Sequence, residues 1–201
     1  MRRIGIIGGT FDPVHRGHIS LALDAKEQGD LDEVMFMPAK LQPFKLDKAV
    51  SDGEMRLAML RLAIQYIPGL TVSTVEMDME GISYTYRTLR EVGKGLAPED
   101  KLYFITGTDT YLKLGIWKEA EALLAENAFI VGERPGYKST DLRECKKLYE
   151  ETFGTETILI NNKRLDISAT EIRERIEQGE MICDLVPEGV GRFIYEHKLY
   201  K

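Results

Sequence analysis

The sequence predicts an α/β fold, a doubly wound parallel sheet with helices on both faces. Two observations predict it. Strand-like apolar runs alternate with amphipathic helical stretches along the chain, and such alternation calls for parallel strands joined by helical crossovers. The 201 residues, 43% hydrophobic and 30% charged, have an ordinary globular composition and suffice for a sizeable core. The expectation is a single domain over residues 1–201, with no repeat, low-complexity tract or long linker.

The first strand candidate, residues 3–8, contains Ile4, Ile6 and Ile7 and runs into Gly8 and Gly9. A helix over 17–28 follows, with Leu21, Ala22 and Ala25 on one face. Residues 33–38 read as the second strand. A helix over 52–66 carries Met55, Ala58, Met59, Leu62 and Tyr66 at helical spacing. Ser51 with Glu54 has the pattern of a capping box at its start. Strand 70–77, helix 84–94, strand 101–106, helix 118–126, strand 128–133 and helix 140–152 continue the alternation, and Gly154 ends the last of these. Residues 157–161 form a sixth strand. Two helices close the chain. The first, 169–178, has Gly179 at its C-terminal cap position, and the second, about 188–197, has Pro187 at its start. The layout is Rossmann-like. In such sheets ligands bind beyond the carboxyl ends of the strands, at the topological switch point, and the loop after the first strand lies there.

That loop reads Gly8-Gly9-Thr10-Phe11-Asp12-Pro13-Val14-His15-Arg16-Gly17-His18. Glycines let backbone N–H groups approach an anion with no Cβ in the way. The following helix turns the positive end of its dipole toward the same spot. His15 and His18, at i and i+3, face one side of its first turn. The spacing is neither a G-x-G-x-x-G fingerprint nor a P-loop, and imidazole stands where a P-loop has lysine. A zinc reading of the pair would need further ligands nearby. The one other histidine is His197, and Cys145 and Cys183 are remote in sequence. A packing role would suit one histidine alone better than two placed after such a turn.

The formal net charge is −6, which argues against a general nucleic-acid binder. A locally positive pocket remains open to Lys45, Arg134 and Arg173. Two separated cysteines give no disulfide framework. There is no signal-like apolar segment and no run long enough for a membrane, so a soluble cytoplasmic protein without a membrane partner is expected.

The string from Gly8 to His18 resembles the T/H-x-G-H signature of the nucleotidyltransferase superfamily. Within it, the string is most similar to the nicotinate (nicotinamide) mononucleotide adenylyltransferases. Ile167-Ser168-Ala169-Thr170-Glu171-Ile172-Arg173 resembles that family's I-S-S-T-x-I-R motif, with alanine at its second serine. Ser168 and Glu171 also have capping-box spacing. Gln42-Pro43-Phe44-Lys45 is similar to a Pro-Pro-His-Lys segment, with phenylalanine in place of histidine. Ser83-Tyr84-Thr85, Gly107-Thr108-Asp109, Trp117, Arg134-Pro135-Gly136-Tyr137 and the stretch from Phe193 to Tyr200 extend the resemblance over nearly the whole chain.

The resemblance implies transfer of AMP from ATP to nicotinate mononucleotide in NAD biosynthesis. It implies catalytic roles for His15, His18, Lys45 and Arg173. ATP would be bound by Gly8, Gly9, Thr10, Phe11, Ser168 and Thr170. The mononucleotide would meet Thr85, Gly107, Asp109, Trp117 and Arg134, with Lys118 nearby as a possible cation. Mg²⁺ would be carried on the ATP phosphates with no protein-built metal site, and a homo-oligomer is possible. Pantetheine-phosphate adenylyltransferases and cytidylyltransferases share the His-x-Gly-His logic. A non-catalytic nucleotide sensor on the same scaffold is the alternative from another class.

Overall fold

The computed structural model describes residues 1–40, 50–133, 139–162 and 167–201. Lys45 and Arg134 therefore lie outside the described residues. Six strands, β1 (Arg3–Gly9), β2 (Glu33–Pro38), β3 (Leu70–Val72), β4 (Lys101–Gly107), β5 (Ala128–Glu133) and β6 (Thr157–Asn161), form one sheet in the order β3-β2-β1-β4-β5-β6. Every pairing is parallel. The order reverses between β1 and β4, so the switch point falls at the carboxyl ends of these two strands.

Strand alternation sends Ile6 and Ile7 to opposite faces of β1. Ile7 joins a core built with helices α1 (Arg16–Gln28), α2 (Gly53–Ile64), α8 (Ala169–Glu177) and α9 (Glu188–Glu196). Ile6 joins a second core with α4 (Thr85–Gly93), α5 (Thr108–Tyr111), α6 (Ala120–Glu126) and α7 (Ser139–Phe153). Ile4, Ile6, Val34, Phe36, Ile105, Phe129 and Ile130 are almost wholly removed from water. Burial on both faces is why the strands read as continuous apolar runs.

Three expectations change. The third strand stops at Val72 because Val75–Asp78 forms a short helix, α3. Ser73 and Thr74 favour that turn: Ser73 Oγ accepts from the Val75 N–H and Thr74 Oγ1 donates to Asp78. The cap of α2 is Asp52, not Ser51; its carboxylate accepts from the Glu54 N–H at 2.8 Å. The buried face of α2 is Arg56, Leu57, Met59, Leu60, Ala63 and Ile64, while Tyr66 is 87% exposed. Of the residues expected on this helix's apolar face, Met59 is in the core, Leu62 packs against it half-buried, Met55 and Ala58 are half-buried, and Tyr66 lies outside. Gly154 and Gly179 do end their helices, with φ of 71° and 75°, the left-handed region that favours glycine. Among the described residues no helix is long and apolar enough to cross a membrane.

Candidate active site

Gly8 and Gly9 are not in a turn. They are the last residues of β1, in register with Met37 and Pro38 of β2. A Cβ on Gly9 would stand 3.1 Å from the Phe11 ring, so this glycine admits that ring. The left-handed residue of the loop is Phe11 itself, at φ 51°, an uncommon conformation for a bulky side chain. Its ring is 2% exposed and packs on Phe36 and on His18, with centroids 5.6 and 5.0 Å apart. Apolar burial offsets the backbone strain.

His15 is the N-cap residue of α1 and is buried; His18 is the third residue of the helix. The rings stack at 3.6 Å between centroids. The His15 N–H donates to Nδ1 of His18 at 3.3 Å. An Nδ1 that accepts carries no proton, so the ring proton of His18 sits on Nε2. The first turn of α1 contains no acidic residue of its own to offset the positive end of the helix dipole.

Beneath the loop lies a polar layer that sequence reasoning missed. Arg56, 3% exposed, donates to the Thr10 and Ala39 carbonyls at 2.9 and 2.8 Å and to that of Ser51 at 3.0 Å. Burial lowers its pKa, opposed by the nearby Asp12 carboxylate. Asp12, 5% exposed, accepts from the Ser51 N–H at 3.1 Å and the Tyr200 hydroxyl at 2.5 Å. One signal existed: Arg56 lies on the i, i+4, i+7 line with Leu60 and Ala63, a charge where helical period demands an apolar side chain.

Helix α8 brings the second motif to this loop. Ser168 is its N-cap and accepts from the Glu171 N–H at 3.1 Å. The Glu171 carboxylate takes Arg175 at 2.8 Å, so the cap is one-sided rather than the reciprocal box expected. Arg173 reaches back, donating to the Asp12 carbonyl at 2.6 Å and to Thr170 Oγ1 at 3.3 Å. Residues 161 apart in sequence thereby meet.

On the other side of Gly8 and Gly9 opens a cleft. Ile6, Met37, Leu89 and Phe104 give it an apolar floor, and Tyr84, Thr85, Trp117 and Lys118 stand at its walls. Trp117 meets Phe104 edge-on at 6.4 Å. Glu76, also in the wall and also missed, is buried and accepts from Thr88 Oγ1 at 2.5 Å. Desolvation raises its pKa, and hydrogen bonds from Thr88 and Ser83 partly counter that. Gly107 and Asp109 do not line the cleft. Gly107 ends β4 and caps α5, with Asp109 in the first turn of that helix, at the carboxyl end of the adjacent strand. Among the described residues no three His, Cys, Asp or Glu side chains gather as a metal site.

Residues 6–175 match the family model described as cytidylyltransferase-like. The chain is 38% identical to a protein of Clostridium beijerinckii over 204 residues, covering all of both chains, and that relative is named "Probable nicotinate-nucleotide adenylyltransferase". A Thermoanaerobacter protein of the same name is 39% identical, with 99% of this chain and 94% of the relative covered. Among solved structures, the nicotinic acid mononucleotide adenylyltransferase of Plasmodium falciparum in its complex with APC superposes with a TM-score of 0.79 at 23% identity, covering 100% of this chain and 98% of that one. That likeness speaks for the fold.

Proposed function

This chain belongs to the cytidylyltransferase-like family, and from that premise we propose that it transfers AMP from ATP to nicotinate mononucleotide, releasing pyrophosphate and forming the dinucleotide for NAD biosynthesis. The observation that carries this reading is a juxtaposition. Gly8 and Gly9 floor the cleft that ends at Trp117, and the same strand end leads through Phe11 to the stacked histidines. A mononucleotide lying in the cleft points its phosphate at the histidines.

The nucleophile is a phosphate monoester with a second pKa of about 6, largely ionised at neutral pH, so no general base is required. One phosphate oxygen forms a bond to the α-phosphorus of ATP, the bond to the β-phosphate oxygen breaks, and pyrophosphate leaves with that electron pair. The difficulty is bringing one anion to another, which makes catalysis a matter of position and charge stabilisation. His18 donates from Nε2 to the transferring phosphate, and His15 acts beside it. Arg173, Ser168, Thr170 and Lys45 hold the triphosphate, and the backbone of Gly8, Gly9, Thr10 and Phe11 meets phosphate and sugar. The donors at this site are imidazole, guanidinium and hydroxyl, which suit phosphate oxygens. Mg²⁺, carried on the ATP phosphates rather than on a protein-built site, would supply neutralising charge there.

Trp117 stacks on the pyridine ring, and Thr85 hydrogen-bonds its substituent. Asp109 and Gly107 serve the ribose side, and Arg134 contacts the mononucleotide. Lys118 and the amides opening α4 favour a carboxylate over an amide. The test is pyrophosphate release with ATP, Mg²⁺ and each acceptor. Nicotinate mononucleotide should exceed the amide by roughly tenfold to a hundredfold in kcat/KM, the scale of about 1–3 kcal/mol for one mismatched buried donor. Release with neither pyridine mononucleotide overturns the proposal. Equal rates overturn only the acceptor preference.

A further inference from the structure

Beyond α9 the chain makes a turn with an outcome at the far side of the site. The Lys198 N–H bonds the Tyr195 carbonyl and the Leu199 N–H bonds the Ile194 carbonyl, the two bonds of a Schellman ending. Lys198 occupies the left-handed position, φ 51°, where glycine is usual, and Tyr200 is left-handed as well, φ 64°. Two such residues in three persist only where contacts over-determine them.

The contact is Asp12. Tyr200 donates its hydroxyl to Asp12 Oδ1 at 2.5 Å, while Oδ2 takes the Ser51 N–H and the Asp12 carbonyl takes Arg173. Three segments remote in sequence are thus pinned to a single residue of the loop, and that residue lies between Phe11 and the histidines. Burial and the Asp12 carboxylate push the Tyr200 phenol above its ordinary range, so it stays a donor across the working pH of a protein. Arg56 holds the loop from the Thr10 carbonyl, two residues earlier. No part of the transfer chemistry needs Tyr200 to touch substrate.

We infer that Tyr200 is a positioning residue for nucleotidyl transfer, its phenol acting through Asp12 to hold the segment from Phe11 to Arg16, and Arg173 with it, in the arrangement that receives the triphosphate. The inference rests on the function proposed above. Its sense is specific: loss of the phenol hydroxyl should disturb the ATP side and spare the acceptor side, because neither Tyr200 nor Asp12 is among the residues that line the cleft under Trp117.

The test compares wild type, Tyr200→Phe, Asp12→Asn and the double variant, with kcat and both KM values measured well below the melting temperature. Tyr200→Phe should lower kcat about tenfold and raise the KM for ATP about threefold to fivefold, leaving the KM for the mononucleotide within twofold. The double variant should be no worse than Asp12→Asn alone. A lowered Tm with wild-type kcat and KM for ATP means a structural tether and overturns the inference. Native-state hydrogen exchange on the wild type supplies a test without any substitution or turnover. The Leu199 N–H, bonded to Ile194, and the Arg16 N–H, bonded to Leu185, should open as one unit with the same denaturant slope. Leu199 opening while Arg16 stays protected overturns the inference even if no acceptor is found. Absence of turnover in the wild type sinks the functional reading and leaves the exchange result to judge the loop.

Discussion

The loop from Thr10 to His15 and the cleft under Trp117 share Gly8 and Gly9 as a border, and they are built by different means. The loop is one stretch of chain, held from below by polar groups: the buried Arg56 on the Thr10 carbonyl, the half-buried Tyr200 phenol and the Ser51 N–H on the Asp12 carboxylate, and the half-buried Arg173 on the Asp12 carbonyl. The cleft is an apolar floor drawn from β1, β2, β4 and α4, with a few polar groups along its walls. The first arrangement suits a site that must hold charge in a fixed geometry, since preorganised donors need not reorient as charge moves. The second suits a flat ring, which wants area and one or two directional contacts.

If that division holds, substitutions at the two regions should separate in kinetics. The largest effect belongs to the histidines. His18→Ala should lower kcat by about a hundredfold or more through loss of a donor to developing charge, with ATP binding changed much less, and His15→Ala should act similarly. Near-normal turnover of His18→Ala at saturating substrates breaks the assignment. Next is Arg173→Ala, which should weaken ATP by about 2–3 kcal/mol in calorimetry. Arg173→Lys should recover part of this, since lysine lacks the planar fork that spans Asp12 and Thr170. Unchanged ATP affinity in both variants removes Arg173 from the triphosphate site.

A smaller effect tests the cleft. Trp117→Ala should raise the KM for the mononucleotide by about twofold to tenfold, the scale of one lost aromatic stack at about 0.5–1.5 kcal/mol, while the KM for ATP stays put. A rise in both would mean that the cleft and the loop do not act separately. The smallest effect concerns stability. The Glu76 carboxyl has its folded pKa raised above 4.5 by burial. Between the ordinary value and the raised one, the unfolded chain binds fewer protons than the folded chain, so stability falls as pH rises through that window. Glu76→Gln, which cannot ionise, should flatten this fall. Thermal melts of both proteins from pH 4.5 to 8 check it: parallel curves would show that Glu76 does not titrate with folding.

Legibility in the sequence followed the same division. The string from Gly8 to His18 is contiguous and needs no tertiary information to be noticed, and the histidines, Phe11 and the helix start are where it puts them. Even so, paired glycines suggested a turn where the structure has strand, because a Gly-Gly step says only that Cβ is absent and the neighbour that needs the space, the Phe11 ring, appears only after folding. Thr85 and Trp117 do share one wall with Lys118, whereas Asp109 sits outside it, on α5. Arg56, Glu76 and Tyr200 were the silent ones. Each has a partner between 12 and 188 positions away; Arg56 alone left a local trace, a charge on the apolar line of α2, and nothing local distinguishes the buried Glu76 or the Tyr200 phenol from a solvated one.

What the sequence alone determined was periodic and local: six strands alternating with helices, the ends marked by Gly154 and Gly179, the loop from Thr10 to His15 after the first strand and the hydroxyl-rich start of α8. These follow from side-chain period and backbone preference, which act within a few residues. Tertiary structure alone decided which face of α2 is inward, that the strand order reverses between β1 and β4, and that Arg173 and Tyr200 converge on Asp12. Those are long-range choices. They depend on whether each buried polar group finds a partner once the sheet has closed, because burial without one costs free energy and only the assembled fold can supply it.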